Sequence, residues 1–310
     1  MNVHSQTFSH QVTFYDGADG FLASTIPFLR EGLEAGDPIL AAFPPAKIEL
    51  LRAELGADAE GIEFADIEEL GRNPARLIPA WRDFLDRGSE AGRGIRGLGE
   101  PVWPARSPAA VDECERHESL LNLAFDGAPA TAMLCCYDSR GLDDDVLDAA
   151  RFSHPQERTK AGVADNPEWD DHRPEPFAGV LAPPPLGALE LSFDRDTLHQ
   201  LRAAAGLEAA EAGLSERRAG DIVLAVAELA ANSVVHGGGE GTATIWREPQ
   251  ALAIEVRDRG VIEQPLAGRV RPSPTQENGR GLWVANQVCD LVQIRSGPRG
   301  TRARLWMNLS

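Results

Sequence analysis

ELAANSVVHG, residues 228–237, ends a run starting at Ser215, and its reading decides the fold of the C-terminal third. Ser215 is a favourable N-cap and Gly237-Gly238-Gly239 is a stop, so one long helix is predicted over Ser215–His236. Ile222, Val226, Leu229 and Ser233 recur at helical spacing and are expected to face a sheet. Ala225, Glu228, Asn232 and Val235 form a second stripe, roughly 120° away on a helix of about 3.6 residues per turn. Glu228 and Asn232 therefore point the same way. A carboxamide oxygen is a hard ligand suited to Mg²⁺, which needs few protein ligands when phosphates and water supply the rest. A neighbouring carboxylate can orient or deprotonate a hydroxyl that attacks a γ-phosphate. Asn232 is thus the candidate metal ligand and Glu228 the candidate catalytic base. In isolation the pair also suits a solvated helix face, so the decision rests on the motifs downstream of it in the chain.

Around that helix, Leu189–Phe193 reads as a strand and Thr197–Ala205 as a helix. Thr242–Glu248 and Leu252–Asp258 alternate as strands, Gly279–Asp290 reads as a helix, and Leu291–Ser296 and Thr301–Leu309 complete a sheet. The expected result is an α/β sandwich with helices on one face of a mixed or antiparallel sheet. The strand ALAIEVRDRG, residues 251–260, ends in Asp258-Arg259-Gly260. A carboxylate at a strand end can accept from an adenine amino group, and Gly260 lets the backbone approach the ring closely. Asn278-Gly279-Arg280-Gly281-Leu282 then opens a helix whose free N–H groups and positive dipole end suit ATP phosphates, with Arg280 adding charge. Thr301, opening the last strand, offers a hydroxyl to back up the base site.

ELAANSVVHG, DRG, GRGLW and RGTRARLW, in that order within about 75 residues, together resemble the Bergerat ATP-binding fold of the GHKL superfamily. Within it they are most similar to the anti-sigma-factor serine/threonine kinases of Gram-positive bacteria. The resemblance covers Leu189–Ser310. It implies ATP and Mg²⁺ as cofactors, Asn232 on the metal, and Glu228 as the base that activates a substrate serine or threonine. It further implies Asp258 and Gly260 at the adenine with Thr301 nearby, and Gly279, Arg280 and Gly281 at the lid and phosphates. Two departures stand out: apolar Val261-Ile262 follows Gly260, and the lid from Glu263 to Asn278 is short and contains proline.

The N-terminal half alternates β-like runs (Gln11–Tyr15, Pro38–Phe43, Gly61–Asp66, Ala130–Tyr137) with helical stretches (Gly20–Ala35, Ala46–Leu55, Pro74–Gly88, Ser107–Phe125). That pattern predicts a doubly wound α/β domain. HQVTFYDGADGFLASTIPFLREGLEAGDPILAAF, WRDFLDRG, RGLGEPVW, ECERHESLLN, CCYDSRGL and FSHPQE resemble the MEDS sensory domain, which implies a RecA-like fold. No Gly-x-x-x-x-Gly-Lys-Ser/Thr loop occurs, so no second nucleotide site is expected. Residues 156–188, rich in Pro and charge and without periodicity, read as a linker. The expected organisation is a sensory domain over 1–155, the linker over 156–188 and the ATPase domain over 189–310.

A formal net charge of −18, carried almost entirely by the first 188 residues, argues against nucleic acid as a direct partner. Cys114, Cys135, Cys136 and Cys289 have neither metal-motif spacing nor disulfide density, so reduced, mostly buried thiols are expected. The stretch MNVHSQTFSHQVTFY shows no basic n-region followed by an apolar h-region, and no apolar run approaches the roughly 18 residues of a membrane span, so a cytoplasmic protein is expected. Residues 92–97 fit Gly-x-Gly-x-x-Gly literally but lead into Gly99-Glu100-Pro101 rather than a helix, and are not read as a cofactor loop. Ser153-His154-Pro155-Gln156-Glu157-Arg158 has the form of a histidine-kinase phosphoacceptor box, yet no heptad hairpin surrounds it. His154 and Glu118 are instead placed at a sensory pocket. The leading expectation is a sensor-controlled kinase acting on a sigma factor or a STAS-domain antagonist, with a homodimer possible. A non-catalytic ATP-responsive binding module and a sensor histidine kinase are the alternatives.

Overall fold

The computed structural model describes residues 8–89, 95–129, 131–169, 177–273 and 279–309. The chain divides into two compact units, Met1–Arg173 and Pro174–Ser310.

Unit one runs β1 (Ser9–Tyr15), α1 (Gly17–Ala35), β2 (Ile39–Phe43), α2 (Pro45–Leu55), β3 (Ile62–Asp66), α3 (Ile67–Leu70), α4 (Leu77–Ser89), β4 (Ile95–Gly99), α5 (Pro108–Ala124), β5 (Thr131–Asp138), α6 (Asp144–Ser153), β6 (Gln156–Thr159) and β7 (Gly162–Asp165). The strands form one sheet in the order β3-β2-β4-β5-β1-β6-β7. All neighbours are parallel except the β6–β7 hairpin. Parallel strands are covered on both faces, and β2, ILAAF, is accordingly buried at every position. Helix starts follow local chemistry: Pro45 and Pro108 occupy first turns, and Ser107 Oγ accepts from Ala110 N at 3.3 Å.

Three expectations for this unit need correction. Strand β4 is absent from the sequence expectation, because IRGLG holds two glycines and has weak strand character. The packing explains them: a Cβ on Gly97 would lie 3.0 Å from the Trp81 ring, and one on Gly99 3.0 Å from Ala42 O. The stretch expected as one helix over 74–88 begins with a short 3₁₀ turn, Pro74–Arg76, before α4. Residues 156–165, read as linker, pair as the β6–β7 hairpin on the edge of the sheet. They carry no apolar alternation because every β7 residue is exposed. Asn166 fastens the hairpin, donating to Arg151 O at 2.7 Å and His154 O at 2.9 Å. Of the glycine spacing at 92–97, Gly92 and Gly94 lie outside the described residues and Gly97 lies within β4.

Unit two runs β8 (Leu189–Asp194), α7 (Leu198–Glu211), α8 (Glu216–His236), β9 (Glu240–Glu248), β10 (Ala251–Asp258), α9 (Arg280–Val288), β11 (Leu291–Gly297) and β12 (Gly300–Asn308). Its five strands form an antiparallel sheet in the order β11-β12-β10-β9-β8. Period-two alternation divides its faces. Leu252, Ile254 and Val256 with Ala303, Leu305 and Met307 meet Leu201, Ile222, Val226, Leu229 and Ala285 of the helices in one core.

The opposite face is polar and aromatic. Glu255, 3% exposed, accepts from Arg302 and Arg304 at 2.8 and 2.6 Å. The Arg304 guanidinium lies 5.0 and 5.6 Å from the Trp246 and Trp306 rings, whose indole N–H groups both donate to Glu248 Oε1. Residues 177–182, also read as linker, are bound to this unit. Phe177 O accepts from Ser296 N, and the carbonyls of Leu181 and Ala182 accept from Arg302 and Arg304. The arginine and serine donors that hold this segment are far away in sequence, so its composition carries no sign of the docking.

Candidate nucleotide site

Helix α8 begins where Ser215 Oγ accepts from Arg218 N and ends at Gly237. Ile222, Ala225, Val226, Leu229, Ala230 and Ser233 are buried, so Ala225 belongs to the core rather than to the second stripe predicted for it. Val235, from the same stripe, is 70% exposed. Glu228 and Asn232 are half-buried between these extremes. Among the described residues, α8 is the one helix long and apolar enough by composition to cross a membrane, and its apolar side forms this core.

The first turn of α9 meets Glu228 and Asn232. Gly281 is buried against them: a Cβ there would lie 2.7 Å from Asn232 Nδ2 and 3.1 Å from Glu228 Oε2. Gly279, with φ 90°, precedes the helix in the left-handed region, and no side chain caps the first N–H groups. The start of α9 thus abuts a carboxamide and a carboxylate. Arg280 is exposed at that start. Asn278 and residues 274–277 of the expected lid lie outside the described residues.

The Asp258 end is built around close backbone approach. Ser233 Oγ donates to Asp258 Oδ2 at 2.6 Å, and Gly260 N donates to Oδ1 at 2.7 Å. Each carboxylate oxygen keeps a further lone pair, which leaves room for an amino donor. Thr301 stands opposite Asp258 in the β10–β12 register. Its hydroxyl donates to Gly260 O at 2.9 Å and lies 2.7 Å from Ser296 Oγ, which accepts from Ile262 N at 2.8 Å. The Thr301 hydroxyl is therefore engaged at the Asp258 end. Gly300, at φ 100°, would bring a Cβ to 2.1 Å from Asp258 O, so no other residue fits between these strands.

Sequence reasoning missed Ser233 and Ser296 as members of this network. By spacing Ser233 reads only as a sheet-facing position; a hydroxyl in an otherwise apolar stripe is the available signal. His154, completely buried in unit one, is not presented on an exposed helix as a phosphoacceptor would be.

A family model for the MEDS domain (MEthanogen/methylotroph, DcmR Sensory domain) matches residues 9–155. A model for the histidine kinase-like ATPase domain matches residues 191–307. The chain joins a MEDS domain to a histidine kinase-like ATPase domain. Two solved structures are similar in part. The RsbU and RsbW domains of Rv1364c from Mycobacterium tuberculosis are 23% identical, over 40% of this chain and 32% of that one, with a TM-score of 0.31. The Acinetobacter baumannii histidine kinase AdeS is 13% identical, over 40% of this chain and 70% of that one, with a TM-score of 0.23. The chain thus spans about a third of the first of these. No curated protein matches it.

In the ATPase domain, the absence of a side chain at Gly281 is what lets the first turn of α9 lie against Asn232 and Glu228. Gly281→Ala forces the Asn232 carboxamide aside while leaving the core untouched. About tenfold weaker ATP binding is expected by calorimetry, with an unchanged circular dichroism spectrum, in line with the loss seen when groups supporting a metal ligand are disturbed. Unaltered affinity would remove Gly281 from the site.

Proposed function

We propose that the chain is an ATP-dependent serine/threonine protein kinase acting as an anti-sigma regulatory factor under control of its MEDS domain. The observation that carries this reading is the convergence of Glu228, Asn232 and the α9 N-terminus at Gly281. In it, Asn232 holds Mg²⁺, which neutralises phosphate charge when bound. The α9 N–H groups and Arg280 receive the phosphates, Asp258 and Gly260 with Thr301 hold the adenine, and Glu228 takes the proton of the attacking hydroxyl. The partner is a sigma factor, a STAS-domain antagonist, or both in exchange. The protein works in the cytoplasm, with a homodimer as the assembly tested first.

The deciding experiment incubates the full chain with labelled ATP and STAS-domain antagonists from its host. Phosphoserine or phosphothreonine on an antagonist is expected. Glu228→Gln keeps Mg·ATP binding and lowers phosphorylation by about 10²–10⁴-fold, the usual contribution of a positioned base. Absence of phosphorylation in the wild type, with partner regulation intact in Glu228→Gln, would replace this reading with a non-catalytic ATP-responsive module. Acid-labile phosphate on the chain itself would point to a histidine kinase.

A further inference from the structure

Four buried side chains distant in sequence converge inside the MEDS domain: His10 on β1, Glu118 on α5, Cys135 on β5 and His154 at the end of α6. Their ligand-capable atoms all lie within 4.8 Å of one another, and none of the four is more than 7% exposed.

The hydrogen bonds around the two imidazoles fix their tautomers. His154 Nδ1 lies 2.6 Å from Ala150 O, and a carbonyl only accepts, so that nitrogen carries the proton. Asn122 Nδ2 donates to Ser153 O at 2.9 Å, which turns its Oδ1 toward His10 Nδ1 at 3.0 Å and places the His10 proton there. With both rings neutral, both Nε2 atoms keep lone pairs directed inward. Each faces the same carboxylate oxygen, Glu118 Oε2, at 3.2 Å from His10 and 3.0 Å from His154. His154 Nε2 makes no hydrogen bond of acceptable geometry despite that proximity, and neither does Glu118 Oε1.

Electron-rich atoms therefore crowd one point. Cys135 Sγ, 3.5 Å from His10 Nε2, brings a single thiol proton, too few to satisfy them.

We propose that His10, Glu118, Cys135 and His154 form a divalent transition-metal site of the zinc class in the MEDS domain. Two imidazoles, a thiolate and a carboxylate are a soft-to-borderline donor set that disfavours Mg²⁺ and Ca²⁺. Charge selects the oxidation state: with Glu118 and Cys135 both anionic, a dication makes the buried assembly neutral, which a low-dielectric interior requires. Tetrahedral coordination with bonds of about 2.0–2.3 Å puts ligand atoms roughly 3.3–3.8 Å apart, so only small side-chain adjustments are needed. The contacts at the outer nitrogens, to Ala150 O and Asn122 Oδ1, are those that orient metal-binding histidines. A cavity lined by Glu118, Cys135 and His117 with apolar Leu98, Leu121 and Met133 reaches the cluster. Metal binding replaces the Cys135 thiol proton, so one proton leaves for each ion bound.

The test uses the full chain, stripped with chelator and titrated with Co²⁺. We expect one ion per chain, a thiolate-to-cobalt charge-transfer absorption, and release of one proton per ion. Cys135→Ser abolishes the charge-transfer band and weakens binding by more than about tenfold, while the neighbouring Cys136→Ser and the nucleotide-site Asn232→Ala leave both unchanged. Independence from Asn232 separates this site from the proposed ATP site. The inference is overturned by the absence of Co²⁺ binding in the wild type, by binding without a charge-transfer band, or by a band that survives Cys135→Ser. If Cys135→Ser does not fold, proton release and the band in the wild type decide.

Discussion

Replacing Asn232 by alanine is expected to weaken Mg·ATP binding by at least ~100-fold, equivalent to about 2.8 kcal/mol, in calorimetry on the full chain. The side chain is half-buried and held against the first turn of α9, where a Cβ on Gly281 would come within 2.7 Å of it. In the proposed site a carboxamide in that position would give a hard oxygen to Mg²⁺ at little desolvation cost, because it is neutral. The metal makes the prediction specific. With chelator present, the wild type loses most of its affinity and the difference between wild type and Asn232→Ala shrinks toward nothing. A variant that binds ATP as the wild type does in excess Mg²⁺, or a difference that persists in chelator, would show that Asn232 is not a metal ligand.

The second large effect concerns stability rather than chemistry. Glu255→Ala removes the carboxylate that Arg302 and Arg304 share on the outer face of the antiparallel sheet. Arg304 is only 7% exposed, so its guanidinium is left buried beside two indole rings, with the Ala182 carbonyl the acceptor that remains among the described residues. Breaking a buried pair by deleting one partner typically costs about 3–5 kcal/mol, against total domain stabilities of about 5–15 kcal/mol. Urea denaturation followed by tryptophan fluorescence reads this directly, since Trp246 and Trp306 flank Arg304. Replacing Glu255 and Arg304 together by apolar residues should recover much of the loss. A single-variant cost below about 1 kcal/mol would mean that water reaches Arg304 and the face is not sealed.

Much of this architecture is legible in the chain. The Ser215 cap, the glycine stop and the apolar spacing between them locate α8, and the alternation in residues 251–258 and 301–308 locates its central strands. Those signals are local and repeat at the period of the element, which is why they survive without tertiary knowledge. Where the element is stabilised by distant partners, the signals fail. β4 is a strand because Trp81 and Ala42 press on glycines that have no strand preference of their own. The β6–β7 hairpin and residues 177–182 hold their places through Asn166, Arg302 and Arg304, none of which marks a strand or a docked segment by type.

The same division runs through the sites. Helical spacing alone puts Glu228 and Asn232 on one side of one helix, and the order of the later glycine motifs implies a nucleotide domain. What faces that side is a tertiary fact: α9 arrives about fifty residues later, and only the absence of a side chain at Gly281 lets it lie so close. Ser233, Ser296 and Thr301 likewise become one hydroxyl network with Asp258 and Gly260 only when the sheet brings their strands into register. In the MEDS domain, sequence spacing shows no metal motif, since His10, Glu118, Cys135 and His154 are scattered over four elements. Folding alone brings them within reach. A local period records which side of an element is buried, whereas the identity of the neighbour is set by long-range packing, which leaves no periodic trace in the chain.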